Sequence, residues 1–199
     1  DESRVKGCKY KHIKKDICDV VLDDITGADY IVNFAAETHV DNSITNGLPF
    51  IKSNIEGVFN LVELSRGIPE LKMFIQISTD EVYGDIARGT SFEEDSLLPS
   101  SYYSAAKAAA DMLVISAGRT YGFPYLITRT CNNFGVDQDK EKFIPKLIDC
   151  IKNDKKFPLY GNGDQVREWI WVEDNVTEIW KLMNEGVSGV KNIGSRLRA

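Results

Sequence analysis

The chain has 199 residues, 43% hydrophobic and 27% charged, a balance ordinary for a globular protein with one good-sized domain, or one domain and part of another. Its net charge of −6 argues against a nucleic-acid partner, which would call for a basic patch, but allows a small anion held by a local Arg or Lys. Cys8, Cys18, Cys131 and Cys150 form no CxxC pair and lie apart from His12 and His39, so no metal site is expected and a reducing cytoplasm fits the free thiols.

No apolar run is long enough to span a bilayer, and Asp1-Glu2-Ser3-Arg4 does not read as a signal peptide. Tyr30 to Ala36 reads as a buried strand, as do Met73 to Thr79 and Tyr125 to Arg129, all short and rich in β-branched or aromatic residues. Between the first two, Phe50 to Arg66 carries Ile51, Ile55, Val58 and Val62 at helical spacing, and Gly67 and Pro69 end it. Between the second and third, Ser104 to Arg119 is an alanine-rich helix closed by Gly122-Phe123-Pro124. Strand and helix in alternation predict an α/β fold, a Rossmann-like parallel sheet flanked by helices. Ligands in such sheets bind at the carboxyl ends of the strands. Ala35-Ala36, Thr79-Asp80-Glu81 and Asn132-Asn133 all fall there.

The pattern then changes. Phe143, Ile144, Leu147, Ile148 and Ile151 predict another amphipathic helix. A short strand and turn are expected over Phe157 to Gly163, a strand over Trp169 to Val172 and a helix over Val176 to Met183. The change of pattern near Gly135 divides the chain into 1–135 and, mainly, 136–199, with chain crossing between the two.

Tyr103 and Lys107 lie four apart on one helix face. There an ammonium lowers the phenol pKa by stabilising the phenolate. The Asp80-Glu81 pair at a strand end adds an acid and a base. Together such groups can oxidise a sugar hydroxyl, remove a proton and expel water. Each feature also has a plain reading: a surface helix pair for Tyr103 and Lys107, a turn for Asp80-Glu81, a solvated ion pair for Arg167 and Glu168. Glu93-Glu94-Asp95 reads as a solvated loop, and His39 as a structural hydrogen-bonder.

Asn33 to Asp41, Ser78-Thr79-Asp80-Glu81-Val82-Tyr83-Gly84, Tyr103 with Lys107, and Asn132-Asn133-Phe134-Gly135 resemble an extended short-chain dehydrogenase/reductase, and within that group the dTDP-glucose 4,6-dehydratases. The resemblance covers nearly the whole chain, and the Asp-Glu pair makes it more specific than Tyr103 and Lys107 alone. It implies NAD as cofactor, and dTDP-glucose or UDP-glucose as substrate. Tyr103 would take the proton of the 4-hydroxyl, with Thr79 hydrogen-bonded to that hydroxyl and Lys107 holding the phenol near its working pKa. Glu81 would remove the C5 proton and Asp80 would protonate the departing 6-hydroxyl, so their pKa values must be separated.

By the same resemblance, Asp16 and Ile17 match an adenine contact. Phe34, Ala35, Ala36 and Thr38 line the cofactor, where small side chains let the backbone approach its diphosphate. Thr38 also touches substrate, Ser53 stands near the cofactor, and Asn133 is a cofactor contact. Asn132, Lys142 and Phe143 match substrate contacts. Pro158, Leu159 and Tyr160 match a base-contacting turn, Arg167 a diphosphate clamp, and Asn192 another nucleotide contact. A homodimer is implied through a four-helix bundle, for which the helices at Phe50 to Arg66 and Tyr103 to Arg119 are the candidates, with Phe59 and Leu61 outside the first one's main stripe.

The family's glycine-rich opening βα unit and its later substrate-domain residues are not in this sequence, Asn175 replaces its His, and Ser53 and Cys131 are milder departures. Three readings stay open. One is a dehydratase of which these 199 residues alone are inactive; the second is a non-catalytic relative. The third is a UDP-sugar epimerase or decarboxylase, against which Asp80-Glu81 speaks.

Overall fold

The computed structural model describes residues 7–86, 89–158 and 162–195. Four parallel strands form the main sheet in the order β1-β2-β3-β6: β1 Tyr30–Asn33, β2 Met73–Thr79, β3 Tyr125–Thr130 and β6 Gly189–Ile193. Ile75 pairs with Val32 on one side and Leu126 on the other. Thr130 pairs with Ile193 at the far edge. A separate parallel pair joins β4 Asn132–Phe134 to β5 Trp169–Trp171.

Helices cover both faces. On one face α4 (Gly57–Ser65) and α5 (Tyr102–Tyr121) bury Val58, Leu61, Val62, Ala110, Val114 and Ala117 against Phe74 and Ile127. Alanine at the contact positions brings α5 close to the sheet. On the other face α7 (Val172–Asn184) packs Ile179 and Met183 on Met73, Ile75 and Leu126. The remaining helices are α1 Leu22–Ile25, α2 Val40–Thr45, α3 Leu48–Ile51 and α6 Phe143–Lys152. The predicted parallel sheet flanked by helices is the fold observed.

Local chemistry sets the element ends. The Ser101 hydroxyl accepts from Ser104 N and the Ser104 hydroxyl accepts from Ser101 N, both at 3.0 Å, a reciprocal cap that starts α5. Gly122 ends it in the left-handed conformation at φ 67°. The first strand stops at Asn33 rather than reaching Ala36. The Asn33 side chain accepts from Ala35 N at 3.1 Å, turning the chain out of the ladder. Val172 to Asn175 join α7 ahead of the predicted start, with Glu173 and Asp174 in its first turn where the helix dipole favours acids. β6 is a strand that the sequence pattern did not predict, and Phe157 and Pro158 lie in no strand.

The predicted helix Phe50 to Arg66 is interrupted. A π turn over Lys52–Glu56 links α3 to α4. Its wider turn shifts the helical phase, so one stripe cannot run through both halves. Phe50 and Asn54 point inward before Gly57, and Val58, Leu61 and Val62 after it, whereas Ile51 is exposed. Leu61, expected on the outer surface, is therefore a core residue; Phe59 is indeed outside.

Gly84, in the turn after β2, has φ +79°, and a Cβ there would collide with the Leu98 carbonyl oxygen. Gly84→Ala is expected to cost about 1–3 kcal/mol from the backbone conformation alone, seen as a lower urea midpoint. An unchanged midpoint would contradict this packing of Leu98.

Candidate active site

The carboxyl ends of β1, β2 and β3 open onto a cavity of about 280 Å³. Phe34, Ala36 and Thr38 line it from the loop after β1. Buried Asn54 pins that loop, accepting from Glu37 N at 2.8 Å and donating to Glu37 O at 2.9 Å. Ala35 sits in the same loop but is exposed.

Thr79 and Glu81 enter from the end of β2, Tyr103 and Lys107 from α5, and Asn132, Asn133 and Lys142 from the segment after β3. Four of the five residues expected to act together, Thr79, Glu81, Tyr103 and Lys107, thus share one cavity although they are spread along the chain, and Asp80 lies beside it. Thr79 Oγ1 accepts from Glu81 N at 3.2 Å and donates to Asp80 Oδ1 at 3.3 Å. It thereby caps the single turn Asp80–Tyr83 and fixes both carboxyl groups next to the strand end. Lys142 spans the opening, donating to Thr38 O at 3.1 Å and Thr38 Oγ1 at 3.3 Å. Beside it His39 faces Glu141 at 3.5 Å.

The two carboxyl groups have different surroundings. Burial pushes the Asp80 pKa up to about 6, and the neighbouring charges Glu81 and Glu168 push it the same way. Burial also raises Glu81, but Arg167 and Lys142 oppose it. Both carboxyls are raised, but the nearby charges that act on Asp80 are acids, whereas Glu81 feels the cations Arg167 and Lys142 as well as Asp85.

The phenol and the ammonium differ from expectation. Burial raises the Tyr103 pKa, as do Glu81, Asp80 and Asp111, while a hydrogen bond with Thr79 lowers it. Lys107 is buried one turn further along α5. Its Nζ donates to Ile77 O at 2.5 Å, and burial lowers its own pKa to about 8. Desolvation and nearby carboxylates thus act on the phenol in the direction opposite to the lowering expected from Lys107.

Other expected site residues lie around this cavity or away from it. Phe143 begins α6, half exposed, with ring contacts to Phe157 at 5.0 Å and Trp169 at 5.7 Å. Arg167 is exposed. Pro158 is exposed, and Leu159 and Tyr160 fall outside the described residues. Asp16 accepts from Cys18 N at 2.9 Å, Ile17 packs against the main core, and Ser53 lies in the π turn. Asn192 sits on β6 with its side chain engaged by the fold: Oδ1 accepts from Tyr83 OH at 2.8 Å and Nδ2 donates to Ser91 O at 3.1 Å. Glu93 is likewise more than a solvated loop residue, since its side chain accepts from Asn192 N at 3.0 Å.

Sequence reading missed several groups. Ile77, Ser78, Thr130 and Gln138 line the cavity. Gln138 Nε2 donates to Asn133 O at 2.8 Å, and Asn175 Nδ2 to Asn133 Oδ1 at 2.7 Å, so Asn133 is held from two sides. The position of Asn175 had marked it only as a departure from the family pattern. Among the described residues no cluster of three or more His, Cys, Asp or Glu could hold a metal ion, and no helix is long and apolar enough to cross a membrane.

A parallel sheet with a Tyr-Lys helix and an acid pair at its carboxyl edge defines a short-chain dehydrogenase/reductase type of site. Residues 3–194 match the model of the NAD dependent epimerase/dehydratase family, and the chain belongs to that family. It is 48% identical over 189 residues to the low-salt glycan biosynthesis protein Agl12 of Haloferax volcanii, covering 94% of this chain and 61% of that protein. It is 40% identical to dTDP-glucose 4,6-dehydratase of Escherichia coli, covering 94% of this chain and 58% of that protein. The structure resembles a double mutant of DesIV, a dTDP-glucose 4,6-dehydratase from Streptomyces venezuelae solved with NAD bound. The TM-score is 0.95 at 34% identity, over 99% of this chain and 62% of that one. The chain thus spans about three-fifths of the length of these relatives.

Proposed function

We propose that this protein is an NAD-dependent nucleotide-sugar 4,6-dehydratase, a hydro-lyase converting dTDP-glucose or UDP-glucose to the 4-keto-6-deoxy sugar nucleotide. The observation that carries the reading is the Asp80-Glu81 pair in unlike surroundings, with Glu81 lining one cavity beside Thr79 and Tyr103 and Asp80 held behind it by Thr79. An epimerase has no use for an acid and a base at that place.

The residues present suit a dinucleotide. A pinned loop with small side chains at Ala35 and Ala36 leaves backbone accessible, Lys107 adds a cation, and Asn133 is held rigidly. Phe34, Ala35, Ala36, Thr38, Tyr103, Lys107 and Asn133 would hold NAD, with Asp16, Ile17 and Ser53 on its adenosine side. When bound, its nicotinamide supplies a reversible hydride acceptor. Tyr103 takes the 4-hydroxyl proton while Thr79 orients that hydroxyl. The resulting 4-ketone acidifies C5–H. Glu81, kept anionic by Arg167 and Lys142, takes the C5 proton. Asp80, whose pKa burial and its acidic neighbours raise to about 6, gives a proton from its acid form to the leaving 6-hydroxyl. Asn132, Lys142, Phe143, Pro158, Leu159, Tyr160, Arg167 and Asn192 are the proposed contacts to the rest of the sugar nucleotide. The domain division is proposed near residue 135, with β6 returning the chain to the first sheet. The four free cysteines accord with a cytoplasmic protein.

Separate incubations of the full natural protein with dTDP-glucose and UDP-glucose test the reading by mass spectrometry. The expected product has lost one water; a product isobaric with substrate would favour epimerisation and count against it.

We further propose a homodimer. Phe59 on α4 and Met112 on α5 are exposed apolar side chains, accounted for by a four-helix bundle. Phe59→Glu is expected to give a monomer in sedimentation velocity. A dimer unaffected by Phe59→Glu would place the interface elsewhere.

A further inference from the structure

Beneath the cavity α5 carries a third polar residue in step with Tyr103 and Lys107. Asp111 lies one turn beyond Lys107 on the same face, and its residue is 0% exposed. Its Oδ2 accepts from Arg129 Nε at 2.9 Å. Its other oxygen, Oδ1, is buried and meets no donor in good hydrogen-bond geometry, Ser78's hydroxyl being the polar group that acts on it. Arg129, itself 2% exposed, is tied down in turn. Its Nη1 donates to Tyr83 OH at 2.8 Å and to Glu93 O at 3.2 Å, and Tyr83 OH donates to Asn192 Oδ1.

This network anchors a carboxylate where a buried lysine needs one. Lys107 Nζ has the neutral Ile77 carbonyl as its hydrogen-bond acceptor. A buried ammonium without a nearby anion sheds its proton. The charged and titratable groups near it are Tyr103 and Glu81, which share the cavity, and Asp111 with its partner Arg129. Asp111 is the one whose charge acts on Lys107. Burial raises the pKa of Asp111 itself, opposed by Ser78, Arg129 and Lys107. A guanidinium never yields its proton, so with Arg129 in contact the carboxylate is the form that leaves no buried charge unbalanced.

We propose that Asp111, anchored by Arg129, is a positioning residue that keeps the buried Lys107 ammonium charged at the floor of the cavity. The proposal rests on the reading of Tyr103 and Lys107 given above. The predicted readout is the titration of Lys107, followed by NMR in the full natural protein carrying isotope-labelled lysine, with the signal assigned by its loss in Lys107→Arg. Asp111→Asn keeps an acceptor for Arg129 but removes the charge. It is expected to move the Lys107 titration down by about 1–3 units, while Asp111→Glu restores most of it. The alkaline limb of product formation should move to lower pH with it, because the charged lysine is then lost earlier as pH rises.

An unshifted Lys107 titration in folded Asp111→Asn overturns the inference. Should that variant not fold, the Asp111→Asn/Arg129→Gln double variant removes both charges of the pair. A lowered Lys107 titration there supports the proposal, and a wild-type titration overturns it. Lysine titration that shifts in a protein unable to dehydrate any sugar nucleotide would sink the dehydratase reading alone. Dehydration with an unshifted lysine would sink this inference alone.

Discussion

Tyr103→Phe is expected to lower kcat by about 10²–10⁴-fold, the usual contribution of a positioned proton-transfer group, with KM little changed. The ring would stay, edge-on to Phe50 at 6.4 Å, so its packing survives. What is lost is the hydroxyl whose pKa burial, Glu81, Asp80 and Asp111 hold above the ordinary tyrosine value. Only the phenolate form of that hydroxyl can take the 4-hydroxyl proton. Steady-state kinetics with a parallel thermal melt check this. A kcat within about threefold of wild type, at unchanged Tm, would move the proton transfer to another group.

Asp80→Asn is expected to abolish water loss and to stabilise the fold at neutral pH. The carboxyl has a folded pKa of about 6 against 3.8 for the ordinary group. The folded state therefore binds the proton more tightly, and stability falls as pH rises from the unfolded value to about 6. Above that the full penalty of a buried, repelled carboxylate applies, up to about 3 kcal/mol. An amide carries no such penalty. The variant should gain stability at pH near 8 and show no gain near pH 4, as measured by urea unfolding at both. A variant less stable at the higher pH would mean that Asp80 is not held in an unfavourable ionised state. Catalytic groups commonly destabilise the fold that carries them, and the opposite signs for activity and stability are what a role for Asp80 as an acid requires.

The parts of the fold legible in the sequence are those encoded locally. β2 was bounded correctly because its apolar run ends at the polar turn Thr79-Asp80; α5 was legible as a helix but runs two residues further at each end, from the Ser101 cap to Gly122. The facing of the helix around Asn54 was not legible, since a π turn leaves no periodic mark and reverses which of Ile51 and Leu61 is buried. β6 was too short, with Lys191 in the middle, to stand out. The site divides in the same way. Thr79, Asp80, Glu81, Tyr103 and Lys107 lie on one strand end and one helix face, so spacing reveals them. Their supporting partners come from distant segments. Arg129 meets Asp111 across 18 residues and Asn175 meets Asn133 across 42. No local pattern announces such pairs. The phenol's raised pKa also depends on three-dimensional burial, which the four-residue spacing to Lys107 could not convey.

The most direct test of the dehydratase assignment uses dTDP-glucose carrying deuterium at C4, incubated with the full natural protein and analysed by mass spectrometry and NMR. The roles given to Tyr103, Glu81 and Asp80 require a product that has lost one water and carries the label at C6, transferred within the same molecule. A product of unchanged mass with the label still at C4, or recovered substrate alone, would contradict them.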